Sequence, residues 1–358
     1  MSASRIPRWS IAAPIAGAVL FGAYSAGFNG PVFGWLAAAG LVAGILAAVY
    51  HAEGIAHILG EPFGTMILAL AITLIEVGLI VTLMIAGGVA AEALARDTVF
   101  AATMLIVNGI VGACLLVGGF RHHEQEFKLF GASAALTTLA AISVTTLVLP
   151  NFTETTPGPY YSQGQLAAVA AVSLVLYGTF ALVQGSRHRD YFLQEGEAVE
   201  AAAKPADRSK LPAVTILLLA SLATVVLLAK ALSPYVERGV GSIGAPQALV
   251  GIIIAAVVLA PEGFAALRAA YGNKLQTSLN LALGSALASI GLTIPSVAIV
   301  SMVTGWPLRM GLDPKSMVLL ALSLFVAALS LGTGRTTILQ GVVHLVILVI
   351  YLMLTILP

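Results

Sequence analysis

Long apolar segments separated by short polar ones dominate the chain. Runs of about 20 apolar residues recur from Ser10 to Leu357, each long enough to cross roughly 30 Å of hydrocarbon as a helix. Helices are expected because lipid offers no water to satisfy open backbone groups. The pattern predicts an all-α, polytopic membrane protein with about 11 transmembrane helices. The predicted spans are residues 10–28, 32–50, 62–87, 97–119, 132–149, 164–185, 211–233, 245–267, 277–304, 315–331 and 337–357.

Composition supports the lipid bilayer as the main environment of the chain. Hydrophobic residues make up 59% and charged residues 9%, whereas soluble domains are about a quarter charged. The net charge of +1 comes without a basic, aromatic-rich patch, which excludes nucleic acid as a partner. Cys114 is the only cysteine, so neither an intramolecular disulfide nor a cysteine metal cluster is available. The first apolar run is long for a signal peptide, and we interpret it as a retained helix.

Lysine and arginine are concentrated in alternate loops. Because positive loops remain inside, this asymmetry predicts an inner-membrane protein with a cytoplasmic N-terminus and a C-terminus on the opposite side. The predicted cytoplasmic segments hold Arg5, Arg8, Arg121, Lys128, Arg187, Arg189, Lys204, Arg208, Lys210, Arg268, Lys274 and Arg335. The opposite side holds Arg96, Arg238, Arg309 and Lys315.

One hydrophilic stretch divides the spans and predicts the domain organisation. Residues 1–31 form an N-terminal tail and a first helix, 32–185 a first five-helix repeat, 186–210 a cytoplasmic linker and 211–358 a second five-helix repeat. An odd number of crossings in the first repeat reverses the side on which the second begins. The two repeats are therefore predicted to be inverted.

The two repeats each contain one glutamate deep in an apolar span. The spans begin alike, with Gly60-Glu61-Pro62 in the first and Gly244-Ala245-Pro246 in the second, and they lead to Glu76 and Glu262. A charge at the depth of Glu76 costs at least ~2.5 to 3.5 kcal/mol, which favours a functional role over a merely protonated, hydrogen-bonded acid. Glu262 is shallower, and snorkelling at a helix end is its alternative explanation.

Short polar and small residues near the glutamates are candidate neutral ligands. Pro261 and Gly263 flank Glu262, and this pair suggests a local break in the helix that would turn carbonyl oxygens toward an ion. The spans that follow the two glutamates contain Asn108-Gly109 and Gly284-Ser285 at matching positions. Helix packing is the alternative role of such residues. The candidate ligands are Asn108, Gly284 and Ser285, with Thr73 about one turn before Glu76 and Asn280 about one turn before Gly284.

The histidines permit two interpretations each. His51 and His57 lie near Glu53 and Glu61, where a wetted interfacial loop is favoured over a sensor of cytoplasmic protons. His344 follows Gln340 by one helical turn, and a polar pair inside the bundle is favoured over a place on the ion path.

Together these stretches resemble the calcium/proton antiporter branch of the calcium/cation antiporter superfamily, most closely its bacterial members. The resemblance runs from about Val49 to Leu357 and is densest in HILGEPFGTMILALAITLIEVGLI and PEGFAALRAAYGNKLQTSLNLALGSALASIGLTIP. It implies that Glu76 and Glu262 form a central cation and proton site and that Gly284-Ser285 is the Gly-Ser that follows the second glutamate. The eukaryotic-type Gly-Asn-Ala-Ala-Glu-His motif is absent, and LIEVG and LAPEG stand at the two glutamates.

The resemblance implies an antiporter that exchanges Ca²⁺ for protons by alternating access, with Ca²⁺ as transported ion and no cofactor. Rocking of one five-helix half against the other, or sliding of a gate in the first half, would expose the site alternately. Exchange of Na⁺ or K⁺ for protons remains an alternative, because two glutamates do not by themselves select a divalent ion. An intramembrane zinc protease is disfavoured since no HExxH occurs, and a channel is disfavoured because channel pores usually lie in symmetric multimers.

Overall fold

The chain is helical over almost all of the residues that can be described. The computed structural model describes residues 6–59, 63–87, 91–187, 191–192, 208–242, 244, 246 and 248–357. The predicted all-α, polytopic class is confirmed. Gly60-Glu61-Pro62, Ala245, most of the predicted linker 186–210 and Pro358 lie outside the described residues.

The helices follow the predicted spans in order. They are α1 (Arg8–Ser25), α2 (Pro31–Leu59), α3 (Phe63–Gly87), α4 (Leu94–Met104), α5 (Val111–His122), α6 (Leu129–Ser143), α7 (Gln163–Leu182), α8 (Leu211–Ser242), α9 (Ala248–Tyr271), α10 (Leu275–Thr304), α11 (Pro314–Ser330) and α12 (Ile338–Ile356). Two short strands, β1 (Gln125–Glu126) and β2 (Arg335–Thr336), pair antiparallel with Gln125 opposite Thr336. They join the segment after α5 to the segment before α12.

Among the described residues, eight helical stretches are long and apolar enough to cross a membrane, and two shorter apolar helices accompany them. With α1, each of the eleven predicted spans coincides with one helical stretch, α4 and α5 forming a single one from Leu94 to His122. Two helices extend furthest beyond their predicted ends, α2 to Leu59 and α8 to Ser242.

The extension of α2 corrects the interpretation of the first histidine cluster as a loop. Residues 51–59 are helical, and His51 is fully buried while Glu53 and His57 are exposed. The ring of His51 lies 3.1 Å from the carbonyl oxygen of Ser10 through Nε2. Because a carbonyl only accepts hydrogen bonds, Nε2 donates, and this contact holds the end of α2 against the start of α1.

The helical hydrogen bonding is irregular, but not where the sequence suggested. α9 continues without interruption through Pro261, Glu262 and Gly263, so the expected local break is not found. The chain instead widens into π-helix at Leu105–Ile110, between α4 and α5, and again at Val144–Val148 after α6. Such π-helical turns are rare and occur frequently at functional sites.

The chain forms two compact units, and each draws on both halves of the sequence. Unit 1 comprises Met1–Ala91 and Pro205–Ala245, which contain α1, α2, α3 and α8. Unit 2 comprises Glu92–Lys204 and Pro246–Pro358, which contain the remaining helices and both strands.

Unit 1 is packed around α8 through glycines. Three consecutive residues of α8 each meet a glycine of a different helix: Thr224 meets Gly17 of α1, Val225 meets Gly44 of α2 and Val226 meets Gly78 of α3. Consecutive residues of an α-helix point about 100° apart, so the three helices surround α8. Small residues permit this close approach, which is how helices associate where lipid removes the hydrophobic driving force.

Candidate functional site

Glu262 and Ser285 are in direct contact inside unit 2. Ser285 of α10 donates a hydrogen bond from Oγ to Glu262 Oε2 of α9 at 2.6 Å. Glu262 is half-buried. Because the single hydroxyl hydrogen is directed at the carboxylate, the lone pairs of Ser285 Oγ are available to a cation bound beside Glu262. Two of the candidate residues predicted from the sequence therefore lie in direct contact and bring their oxygen atoms together.

Glycines of α9 set the position of Glu262 against the neighbouring helix. A Cβ built on Gly263 would lie 3.3 Å from Ile110 Cδ1, at the end of the π-helical turn. A Cβ on Gly251 would lie 3.0 Å from the backbone nitrogen of Thr98 in α4. Close packing before and after Glu262 thus fixes α9 against α4 and the turn that follows it.

Glu76 lies in the middle of α3 in unit 1 and is only 4% exposed. Thr73, one turn earlier, shares its face and is equally buried, and Ile72, Ile75 and Leu79 are buried around them. Burying a carboxylate is costly unless a proton, a cation or hydrogen bonds compensate it. At this position, neutralisation of Glu76 by a cation or a proton removes a large free-energy cost of burying its charge.

Asn108 is directed toward α11 and α12. Its Nδ2 lies 2.8 Å from Ser323 Oγ, and its Oδ1 lies 3.2 Å from His344 Nδ1. All three side chains are fully buried. The structure thus joins Asn108 to two residues outside the predicted site and not to Glu262. Gln340 does not pair with His344 as the sequence suggested, since its side chain caps Thr337 at the start of α12.

Asn280 and Gly284 lie toward the start of α10. The amide of Asn280 accepts a hydrogen bond from Gln276 at 2.9 Å and donates one to the carbonyl oxygen of Phe192. Gln276 in turn accepts from the backbone N–H of Lys128 at 2.6 Å. Gly284 lines a small cavity together with Asn280 and Phe192. The amide of Asn280 therefore holds the segment after α7 against α10.

Charged and phenolic groups form a cluster at the start of α4 and in neighbouring loops of unit 2. Arg96 pairs with Asp97 at 2.7 Å and donates to the carbonyl oxygen of Gly311 at 2.8 Å. Tyr160 donates to Glu92 Oε1 at 2.9 Å. Burial, and then the hydrogen bond to Glu92, raise the pKa of Tyr160 above its usual value.

Asp313 belongs to the same loop region and caps α11. Burial acts to raise the pKa of Asp313, but hydrogen bonds from Ser316 and the nearby charges of Lys315 and Arg96 outweigh it, and the pKa is lowered. The carboxylate of Asp313 is thereby kept ionised next to Arg96. The cluster holds together the loops that join the helices at this end of unit 2.

Ser323 and the role of His344 were not predicted from the sequence. Ser323 is the middle one of three serines in α11, with Ser316 and Ser330, and nothing in the sequence distinguishes it as a partner of Asn108. The polar character of His344 was noticed, but its partner lies more than two hundred positions earlier in the chain. To predict this contact, the sequence would have to indicate which residues of two distant helices lie next to each other.

Comparisons with known proteins indicate the family to which the chain is similar. The family model described as sodium/calcium exchanger protein matches residues 30–185 and 213–357. The y4hA protein of Sinorhizobium fredii, which is an ionic transporter by name, is 46% identical over 99% of this chain and 98% of its own length. The sodium-potassium/proton antiporter ChaA of Escherichia coli is 37% identical over 89% of this chain and 87% of its own.

A solved structure shares the fold. The crystal structure of the H⁺/Ca²⁺ exchanger CAX has a TM-score of 0.72 at 15% identity and covers 96% of this chain and 87% of that chain. At this identity the likeness concerns the fold alone. The family model, in contrast, matches most of the chain, and the two relatives are similar over nearly its whole length. The chain therefore belongs to the sodium/calcium exchanger protein family.

Proposed function

We propose that this protein is a secondary antiporter that exchanges Ca²⁺ for protons, and that Glu76 and Glu262 bind the cation and the protons in turn. The observation that supports this most is the placing of one glutamate from each half of the chain inside an apolar helix. Glu76 is almost wholly buried, and Glu262 is already hydrogen-bonded to Ser285.

Competition between the two cargoes follows from charge balance. Two carboxylates carry two negative charges, which one Ca²⁺ or two protons neutralise equally well. An ionised pair with neither Ca²⁺ nor protons bound would be unfavourable in free energy, because its charge would be uncompensated in the membrane. The proposed exchange is therefore one Ca²⁺ for two protons, and neither loaded state leaves a net charge on the pair.

Neutral oxygens complete the proposed site. Ca²⁺ binds roughly six to eight oxygens, so two carboxylates require further ligands. Ser285 and Thr73 are proposed to contribute, with water and backbone carbonyls. Asn108 and Asn280 would have to give up their present hydrogen bonds to act as ligands, and their proposed role is to hold the surrounding helices.

The proposed location is the inner membrane, with a cytoplasmic N-terminus and linker and with Leu357 on the opposite side. The concentration of Lys and Arg in alternate loops supports this orientation. Cysteines introduced at Glu197 and at Leu357 in a Cys114→Ala background are expected to react with an impermeant reagent from opposite sides. Reaction from the same side would refute the odd number of crossings.

The test of the function is exchange by purified protein in lipid vesicles. Glu76→Gln and Glu262→Gln are each expected to reduce Ca²⁺-driven proton release to background, while the variants still insert, because glutamine keeps the shape and removes the charge. Near-normal exchange by either variant removes that glutamate from the mechanism. Ser296→Ala is the control, since its hydroxyl donates to the carbonyl oxygen of Leu292 in the same helix.

Equilibrium binding tests the shared site directly. Apparent Ca²⁺ affinity of the solubilised protein is expected to fall as the pH is lowered from about 9 to about 5, because protons occupy the oxygens that Ca²⁺ requires. Ca²⁺ binding must reciprocally release protons. A pH-independent affinity without proton release contradicts a shared site.

A second candidate function is exchange of Na⁺ or K⁺ for protons. The similarity to a sodium-potassium/proton antiporter over 89% of this chain favours it. The same vesicles distinguish the two by the cation that releases protons. Proton release by Na⁺ or K⁺ but not by Ca²⁺ would replace the calcium proposal and leave the two glutamates in place.

A further inference from the structure

A hydrogen-bond chain with a fixed direction runs through the interior of unit 2. Ser323 Oγ lies 2.7 Å from the carbonyl oxygen of Leu319, which only accepts. A serine hydroxyl has a single hydrogen, so Ser323 Oγ acts as acceptor toward Asn108. The group of Asn108 that faces Ser323 must therefore be the NH₂, and its carbonyl Oδ1 faces His344.

This direction determines the tautomer of His344. Oδ1 of Asn108 accepts, so Nδ1 of His344 carries the hydrogen and donates it across 3.2 Å. Nε2 is then an acceptor without a hydrogen, and it has no partner among the residues that the structure describes. The amide of Asn108 is thus oriented by one donor on α12 and one acceptor on α11, and its NH₂ also lies 3.8 Å from Met104 Sδ.

Asn108 lies inside the π-helical turn at Leu105–Ile110. A π-turn contains an additional residue that regular α-helical bonding does not accommodate, and it persists where side-chain contacts offset its poorer geometry. The bonds from Asn108 to two other helices are such contacts. Ile110, at the end of the same turn, packs against Gly263, which is adjacent to Glu262.

We propose that His344 is a positioning residue for cation binding, which orients Asn108, maintains the π-turn and thereby fixes Ile110 against Gly263 and Glu262 in place. The inference rests on the proposed role of Glu262 as a cation ligand. If the turn relaxed to α-helix, the residues after it would rotate by about 100° relative to those before it. Ile110 would then leave Gly263, and α9 would lose the contact beside its carboxylate.

The test uses two amides of different reach at position 344. In His344→Asn the amide NH₂ occupies the place of Nδ1 and can still donate to Asn108. In His344→Gln the amide NH₂ is displaced toward the place of Nε2 and that donor is lost. We expect the Asn variant to keep the wild-type cation concentration for half-maximal exchange, and the Gln variant to raise it about 10-fold, as loss of a group behind a metal ligand typically does. The rate at saturating Ca²⁺ should change little.

Two further variants make the result decisive. Gln340→Ala weakens the cap of α12 without touching His344 or Asn108, so its half-maximal concentration should stay unchanged. Ser323→Ala removes the acceptor for Asn108 and should raise the half-maximal Ca²⁺ concentration, as His344→Gln does. This variant tests the positioning role if His344→Gln does not fold.

A wild-type concentration in His344→Gln, or equal losses in the Asn and Gln variants together with lower melting temperatures, would overturn the inference. Glu262→Gln is measured alongside. If it retains exchange, the proposed function fails, whereas loss of exchange in Glu262→Gln with unchanged affinity in His344→Gln overturns the positioning role alone.

Discussion

Single polar side chains in this protein act through the direction of their hydrogen bonds. Ser285 donates its only hydroxyl hydrogen to Glu262, and His344 and Ser323 together orient Asn108. In an apolar helix such a bond has few competitors, because water is scarce and an unpaired polar group is costly. The direction of each bond therefore decides which oxygen lone pairs remain for a cation.

Ser285 provides the sharpest prediction at this scale. Ser285→Ala removes both the donor to Glu262 and a candidate oxygen ligand, and a hydrogen bond to a charged group is worth ~1.5 to 3 kcal/mol. The cation concentration for half-maximal exchange should therefore rise by roughly 10-fold or more. Ser285→Thr, which keeps the hydroxyl, should retain most of the affinity.

Vesicle exchange over a range of Ca²⁺ concentrations measures this effect. Ser296→Ala in the same helix is the matched control, because its hydroxyl bonds to Leu292 and not to an acid. Equal affinities of Ser285→Ala and wild type would show that the serine is not a ligand and that its contact with Glu262 does not matter for binding.

The sequence reveals the residues whose chemistry is unusual for their surroundings, but not their partners. Glu76 and Glu262 are evident because a charge in an apolar run is conspicuous. Ser285 is evident because Gly284-Ser285 and Asn108-Gly109 lie at matching positions in the two halves of the chain. The partners of Asn108 and Asn280 are not evident, because the direction of a short polar side chain depends on the neighbouring helices. The π-turn further shifts that direction for Asn108.

Helices in this protein approach one another closely at glycines, and at one place two glycines face each other. In unit 2, a Cβ on Gly341 of α12 would collide with the backbone nitrogen of Leu116 in α5 and would lie 2.8 Å from the carbonyl oxygen of Gly112. A Cβ on Gly112 would in turn lie 2.9 Å from His344 Cβ. Backbone-to-backbone contact of this kind leaves no flexible atom to move aside.

We therefore expect Gly341→Ala to force α12 away from α5 and to destabilise the protein by about 1 to 3 kcal/mol, as overpacking of a tight interior does. Thermal unfolding in detergent measures the loss. Gly178→Ala in α7 is the control, because a Cβ there meets nothing within 4 Å. A melting temperature of Gly341→Ala equal to that of the control would contradict the close packing.

The existence of each helix was predictable and its irregularities were not. Apolar run length predicts where a span lies, since hydrocarbon thickness fixes the number of residues needed. Apolar run length predicts an end of α2 that is too early, because His51 and Glu53 interrupt the apolar run. The helix nevertheless continues to Leu59, with His51 buried against Ser10. Pro261 and Gly263 suggest a break in α9, which is instead one continuous helix.

At the scale of the whole molecule, the compact units differ from the halves that the sequence defines. The arithmetic of spans predicts two inverted five-helix repeats. Unit 1, however, contains α2 and α3 from the first half and α8 from the second. Packing thus groups helices that the order of the chain separates, because contacts and not sequence distance determine which helices form a compact body.

A cross-link can test which of these bodies moves during exchange. A Cβ on Gly78 of α3 would lie 4.0 Å from Val226 Cβ of α8, within the ~3.5 to 4.5 Å range of a disulfide. We expect Gly78→Cys with Val226→Cys, in a Cys114→Ala background, to exchange cations equally well when oxidised and when reduced, because both positions belong to unit 1.

Loss of exchange on oxidation, restored by reduction, would instead support movement of one half of the chain against the other. The reduced double variant serves as the internal reference, because the substitutions are the same in both states. Each single cysteine variant, treated with oxidant, controls for damage that does not depend on the cross-link.

The arrangement of glycines around α8 also has a consequence for biogenesis. α1, α2 and α3 are synthesised before α8. Their glycines can meet Thr224, Val225 and Val226 only after the chain has been extended to the middle of α8. At ~5 to 20 residues per second, the ribosome takes on the order of ten seconds to cover that interval. During this time three inserted helices lack the partner around which they pack. A nascent chain whose synthesis stops in the linker is thus expected to remain in the membrane as an incomplete bundle. Insertion chaperones and membrane proteases are expected to act on the protein while the linker is being synthesised.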